Sequence, residues 1–451
     1  MLRACSRLHL HTSMARSCPI DPIIAIIGAT GTGKSDLAVQ LARRYNGEII
    51  NGDAMQLYAG LPIITNNITS EEQQGVPHHL LGCIGLHEQT WVVGTFVKKA
   101  LSVIAEIRSR GKLPILVGGT HYYTQSLLFH DRLAEAEDES HNTSADQEQD
   151  RQRWPIFQES TERLLEELKR VDPAMADRWH PKDRRKIARS LEIYLKTGRR
   201  ASDVYAEQRG RKTAVIDDDD ADKQGMRFDT LLFWVHAEQD VLRLRLDKRV
   251  DKMVGAGLRD EVGTLNHHAE VEAQAGRELD ETRGIWVSIG YKEYKHYVQC
   301  LQSGNRDEKE LESLRLEALE RTKTATRQYA KRQVRWIRIK LVNALQEVSA
   351  SDRLYLLDGS DASNFTSSVV EPAADFVKSW LEARPMPPPT SLSHVAAEQL
   401  QPKQDDVSTR REWTKQYCEA CDVTCVVKEQ WEQHTRSKAH KKAVSKGRQQ
   451  G

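Results

Sequence analysis

The chain has 451 residues, with 66 Lys plus Arg against 65 Asp plus Glu and a net charge of +1, so overall charge names no partner. This length can bury a large core divided among roughly two to four domains. No apolar run of about 18 residues is present to cross a membrane, and seven Cys at 5, 18, 83, 300, 418, 421 and 425 are too scattered for a disulfide framework outside the C-terminal end.

Residues 1–20 carry Arg3, Arg7 and Arg16 with no acid before Asp21, the composition of a mitochondrial targeting leader. Initiation at Met14 instead of Met1 removes most of it. Mitochondrial and cytoplasmic forms are therefore expected, with a nuclear fraction left open.

A β-branched strand, Pro22 to Ile27, then runs into Gly28-Ala29-Thr30-Gly31-Thr32-Gly33-Lys34-Ser35 and an amphipathic helix. Strand, G-x4-G-K-S and helix follow in the order of a phosphate-binding loop. Its glycines permit close backbone approach, its N–H groups converge on phosphate oxygens at a helix N-terminus, Lys34 adds a cation, and Ser35 offers a hydroxyl to Mg2+. The pattern specifies a pyrophosphate site through Gly28, Thr30, Gly31, Thr32, Gly33, Lys34 and Ser35, but not whether a P–O or a C–O bond breaks there.

Glu48 to Asn51 reads as a second strand leaving through Gly52-Asp53-Ala54-Met55-Gln56, a helix covers 91–110, and Pro114 to Val117 is a third strand ending in Gly118-Gly119-Thr120. Strands alternating with helices predict an α/β, P-loop NTPase-like core with a parallel sheet, its ligands at the carboxyl ends of the strands. Asp53 and Thr120 are thereby placed in the same crevice as the loop. A motor or switch ATPase would carry an Asp where Gly118-Gly119-Thr120 stands, so a transferase acting on a small phosphorylated compound is favoured.

The acidic stretch 133–153 has no apolar periodicity and is expected to be disordered, as is the loop containing Asp217 to Asp220. Between them a helical insertion spans 156–215. Asp183 caps one of its helices, Gly198 stops it, and Arg185 and Arg189 lie one turn apart on the face opposite Ile187 and Leu191. The core, begun over 21–155, resumes over 216–384 with a strand at 231–235 and helices at 238–255 and 259–270.

A long helix over 306–340 divides its charge: from Arg321 to Lys340 there are eight Lys or Arg and no acid. Lys323, Arg327, Lys331 and Arg335 repeat every four residues beside Trp336, a cationic stripe with an aromatic suited to an RNA backbone and a stacked base.

A polar linker is expected over 385–410, and 411–451 holds Cys418-x2-Cys421-x12-His434-x5-His440. Two thiolates and two imidazoles at this spacing make a closed, structural C2H2 zinc finger. Cys425 is a competing thiolate, less suited because the two His favour the pair 418 and 421. The tail carrying Arg436, Lys438, Lys441, Lys442, Lys446 and Arg448 suits RNA phosphates.

Together, Gly28 to Ser35, Gly52-Asp53-Ala54-Met55-Gln56-Leu57-Tyr58, Leu116 to Tyr123, Asp183 to Glu192 and Ser288-Ile289-Gly290-Tyr291-Lys292-Glu293 resemble the motifs of the tRNA dimethylallyltransferases, over roughly 22–340. The finger looks like the matrin-type finger of the eukaryotic members. The resemblance implies transfer of a dimethylallyl group from dimethylallyl pyrophosphate to N6 of the adenosine 3′ of the tRNA anticodon, position 37, with Mg2+ for catalysis and structural Zn2+. It makes Asp53 the acceptor of the N6 proton, with Thr120 beside the reacting centre. Gln56 holds the target nucleotide, and Arg185, Lys186 and Arg189 contact tRNA. Some members carry a catalytic arginine just before the Gly-Tyr motif, where Val287 stands, so another cation has to complete the pyrophosphate site. A small-molecule kinase and a noncatalytic RNA-binding protein with a relict loop are the alternatives. A monomer is the expected state.

Overall fold

The computed structural model describes residues 18–130, 153–211, 225–277, 279–304, 306–402, 415–426 and 428–447. They group into two units, 18–130 with 225–402 and 153–211 with 415–447. The leader through residue 17, the acidic stretch at 131–152, the Asp217 to Asp220 run, linker residues 403–410 and the end of the basic tail lie outside the described residues.

The first unit is built on six parallel strands: β1 (Pro22–Ile27), β2 (Gly47–Asn51), β3 (His78–His79), β4 (Leu113–Val117), β5 (Asp229–His236) and β6 (Leu354–Asp358), in the order β3-β2-β4-β1-β5-β6. Ile24 of β1 lies between Ile115 of β4 and Leu231 of β5. The central strands are continuous apolar runs because both faces are covered, as parallel sheets require. The chain runs from β1 to β2 on one side of β1, and later from β4 across to β5 on its other side. A crevice therefore opens at the carboxyl end of β1.

The helices, in chain order, are α1 (Lys34–Arg44), α2 (Val93–Ser109) and α3 (His121–Leu128); α4 (Thr161–Val171), α5 (Pro173–Arg178), α6 (Arg184–Thr197) and α7 (Ala201–Arg211) of the insertion; then α8 (Gln239–Ala256), α9 (Leu258–Gln274), α10 (Tyr291–Ser303), α11 (Glu308–Trp336), α12 (Val342–Glu347), α13 (Glu371–Leu381) and α14 (His394–Gln399); and α15 (Lys428–Arg436) and α16 (Lys438–Gly447) of the finger. Leu37 and Leu41 of α1 pack with Val377 and Trp380 of α13 on one face of the sheet. Phe96 of α2, Leu127 of α3, Val262 of α9 and Tyr294 of α10 cover the other.

Two boundaries differ from expectation. The helix begun at Glu308 does not stop near 340 but continues through a π-helical turn, Ile337–Leu341, into α12. Its apolar face goes on through Ile337, Leu341 and Leu345, all buried, with no Gly or Pro to end it. The expected linker is only partly one. Residues 389–400 form a turn and α14, and Ala396 and Leu400 enter the core. Polar composition concealed an apolar face made by Leu392, Val395, Ala396 and Leu400.

In the second unit α4 to α7 enclose their own small core of Leu164, Leu168, Met175, Ile187 and Leu191. The buried Asp172 carboxylate accepts from the Met175 N–H at the start of α5 and from the Ser202 N–H, joining two helix starts. Asp183 caps α6 through the Lys186 N–H at 3.2 Å, and Gly198 ends it in the left-handed conformation, as expected.

Candidate active site

The loop after β1 closes on itself. Thr32 donates its hydroxyl to the Ala29 carbonyl at 2.9 Å, and Lys34 donates its ammonium to the same carbonyl at 2.8 Å. Burial lowers the Lys34 pKa to about 8; the negative Asp53 opposes this, and the neighbouring Arg249 adds to it. Ser35 is half-buried in the first turn of α1.

Asp53 follows the end of β2 and is held by its neighbours. Its N–H donates to Asn51 Oδ1 at 2.9 Å, and its Oδ1 accepts from the Met55 N–H at 3.0 Å. Thr120, after β4, accepts through its hydroxyl from the Ala54 N–H at 3.0 Å, so the carboxylate and the threonine share the crevice. This closeness needs Gly118, because a Cβ there would lie 2.3 Å from the Gly52 carbonyl carbon.

Two elements that the spacing argument did not assign complete the site. From α11, Gln333 accepts from the Thr30 N–H at 2.8 Å and donates to the Gly119 carbonyl at 2.9 Å, tying the two loops together. Gly119 leaves room for it, since a Cβ there would lie 2.4 Å from Gln333 Nε2. Tyr329, one turn earlier, hydrogen-bonds Thr120 and Gln333, and burial followed by the Asp53 charge raises its phenol well above the usual range.

From α8, Arg249 donates to the Thr30 hydroxyl. Desolvation lowers its pKa while Asp53 supports its charge. Its Nε is buried without a partner among the described residues, a donor aimed where no protein acceptor stands. Lys34 and Arg249 therefore bring two cations to one loop, opposite one carboxylate. Arg249 was legible only as a cation on the apolar Leu242, Leu246, Val250 face of its helix. Gln333 was legible as a polar residue on the buried Thr322, Thr326, Ala330 face of α11.

The other residues expected to contact RNA differ in their exposure and partners. Gln56 lies on the turn Met55–Leu57 and donates to the Asn66 carbonyl at 2.7 Å. The cationic stripe of α11 is half neutralised: Lys323 pairs with Asp251 at 2.7 Å and Arg327 with Asp247 at 3.1 Å, because those acids sit one turn apart on the facing α8. Lys331 and Arg335 stay exposed. Trp336 is half-buried and packs edge-on to Tyr122 at 6.1 Å. In the second unit Arg185 and Lys186 are exposed on α6, Lys186 beside Asp183 and over the Trp179 ring. Arg189 is half-buried against Glu192 at 2.9 Å.

In the finger, β7 (Gln416–Cys418) and β8 (Val423–Cys425) form an antiparallel hairpin before α15. The ligand atoms of Cys418, Cys421, His434 and His440 all lie within 4.8 Å of one another. His440 Nδ1 stands 3.5 Å from each thiol and 3.2 Å from His434 Nε2. These separations suit four corners around one tetrahedral ion. Cys425 is buried outside the cluster. At the loop, the hydroxyl of Ser35 is the oxygen donor that suits Mg2+.

A glycine loop with two cations, facing a carboxylate from the next strand and without the Asp of an ATPase after β4, defines a P-loop-like α/β transferase rather than a nucleotide hydrolase. The chain belongs to the tRNA dimethylallyltransferase family: the model described as IPP transferase matches residues 56–340. The tRNA dimethylallyltransferase of Schizosaccharomyces pombe is 37% identical, over 94% of this chain and 95% of its own. That of Homo sapiens is 33% identical, over 95% and 86%. A solved structure of a eukaryotic dimethylallyltransferase acting on tRNA matches with a TM-score of 0.72 at 32% identity, covering 95% of this chain and 98% of that one. Residues 417–441 match a model described as a zinc-finger double-stranded RNA-binding family.

Proposed function

We propose that this chain transfers the dimethylallyl group of dimethylallyl pyrophosphate to N6 of the adenosine 3′ of the anticodon, position 37, in tRNA. The observation that carries this reading is the convergence of Asp53 and Thr120 with Lys34 and Arg249 around one glycine loop.

In the reaction the bond between the prenyl carbon and the pyrophosphate oxygen breaks, and a bond from that carbon to N6 forms. Negative charge develops on the leaving pyrophosphate, where the loop N–H groups, Lys34 and Arg249 stabilise it. N6 becomes acidic as it bonds to carbon, and Asp53 takes its proton. Tyr329 and the Ala54 N–H hold the Thr120 hydroxyl beside that proton transfer. Ser35 would help hold Mg2+, which would supply further neutralisation of the pyrophosphate charge. The adenine must leave its stack to enter the crevice, which an unpaired anticodon loop makes cheap.

Zn2+ on Cys418, Cys421, His434 and His440 folds the finger, whose basic helix α16 adds phosphate contacts. Lys331, Arg335, Arg185 and Lys186 supply further contacts to tRNA. The enzyme acts as a monomer, and starts at Met1 and Met14 divide it between mitochondria and cytoplasm.

The test is nucleoside mass spectrometry of tRNA incubated with the full chain, dimethylallyl pyrophosphate and Mg2+. N6-isopentenyladenosine at position 37 is expected. Unmodified tRNA alongside ATP consumption with a small alcohol would overturn the proposal. Asp53→Ala is expected to lower transfer by at least about 100-fold with tRNA binding retained.

A further inference from the structure

Outside the finger, one other set of metal-ligating side chains converges among the described residues: His87, His268 and Glu272. His268 and Glu272 are four apart on α9, so they leave the same face of the helix, and each residue is 8% exposed. His87 comes from the loop before α2, and its side chain is 78% exposed. Each of the three contributes a donor atom within 4.8 Å of the other two, and His87 Nδ1 lies 3.9 Å from Glu272 Oε1.

The surroundings hold these donors in place. His268 stacks on Trp286 at 5.9 Å with an interplanar angle of 11°, which fixes its ring plane, and the His87 ring meets it edge-on at 4.6 Å. Arg277 grips both oxygens of the Glu272 carboxylate, its Nε donating to Oε2 and its Nη2 to Oε1 at 2.8 Å. An outer hydrogen bond of this kind orients ligating carboxylates, and a carboxylate oxygen keeps a second lone pair for a cation.

We propose that His87, His268 and Glu272 bind a divalent cation of the Zn2+ class, with water completing its coordination, and that the ion pins the loop around His87 to α9. Two imidazoles and one carboxylate select Zn2+, Ni2+ or Cu2+ over Mg2+ and Ca2+, which prefer oxygen ligands throughout. Bonds of about 2.0–2.2 Å place tetrahedral ligands roughly 3.4 Å apart. The donors must therefore draw together by at most about 1.4 Å, a shift to which rotation of the exposed His87 side chain contributes.

The test is a metal count on the full chain, stripped with a chelator, reloaded with Zn2+ and desalted. Two zinc ions per chain are expected, one in the finger and one here. Cys418→Ser/Cys421→Ser should hold one, and adding His87→Ala should leave none. Because His87 is exposed, its loss does not threaten the core, and transfer at saturating substrates should be unchanged. Co2+ bound to the double Cys variant should absorb in the visible without a thiolate charge-transfer band. A single zinc in the unaltered chain, or a second zinc that survives His87→Ala, would show that the cluster is only an ion pair and overturn the proposal.

Discussion

Arg249 donates to the hydroxyl of Thr30 across 219 residues of chain, bringing a guanidinium from α8 onto the glycine loop. With Lys34 it makes the second cation there, and its buried Nε is left to bond to a ligand oxygen. Arg249→Gln should therefore lower single-turnover transfer by about 100- to 1000-fold, the scale of one lost oxyanion donor. The dissociation constant for tRNA should hold, and a proportional loss of tRNA affinity would move Arg249 out of the pyrophosphate site.

The Lys34 ammonium, lowered by burial to about 8, sets a pH limit. Only the protonated form attracts pyrophosphate, so binding is favoured below the pKa and lost as pH rises through it. Activity per unit KM for dimethylallyl pyrophosphate should fall about tenfold per pH unit above about 8, while kcat should hold to higher pH because bound pyrophosphate favours the cation. Lys34→Arg should abolish that basic limb.

Gln333 joins the loops after β1 and β4 with two hydrogen bonds. Gln333→Leu would strand the Thr30 N–H and the Gly119 carbonyl, each costing about 1–3 kcal/mol when buried. A loss of about 2–6 kcal/mol in unfolding free energy is expected, together with slower transfer. A stability change without any rate change would make Gln333 a structural tie alone.

Glu48 on β2 is buried, and burial alone would raise its pKa. Hydrogen bonds from Arg110 and Lys112, and one with His79, outweigh that and hold it at about 2. A depressed carboxylate stabilises the fold above its unfolded pKa and loses that contribution as pH falls through the folded value. Glu48→Gln should cost about 2–3 kcal/mol at neutral pH, with the difference shrinking between about pH 5 and pH 2 in denaturant titrations.

For the finger, Cys421→Ser should unfold residues 415–447 locally and weaken RNA affinity while leaving single-turnover chemistry at saturating tRNA intact. Chelation should do the same in amide exchange, since metal binding supplies the folding energy of so small a module.

Local pattern was enough for the glycine loop, the strand ends at Asp53 and Thr120, the Asp183 cap, the Gly198 stop and the Cys2His2 set. Each of these depends on residues a few positions apart, and their chemistry is written in residue type and spacing. The tertiary structure alone decided three other matters: that Arg249 supplies the second cation, that Tyr329 and Gln333 close the crevice, and that Lys323 and Arg327 face Asp251 and Asp247. These depend on how α8 and α11 lie against one another and against the sheet. Residues 72 to 303 positions apart meet there, and such meetings come from packing rather than from any periodicity within one helix.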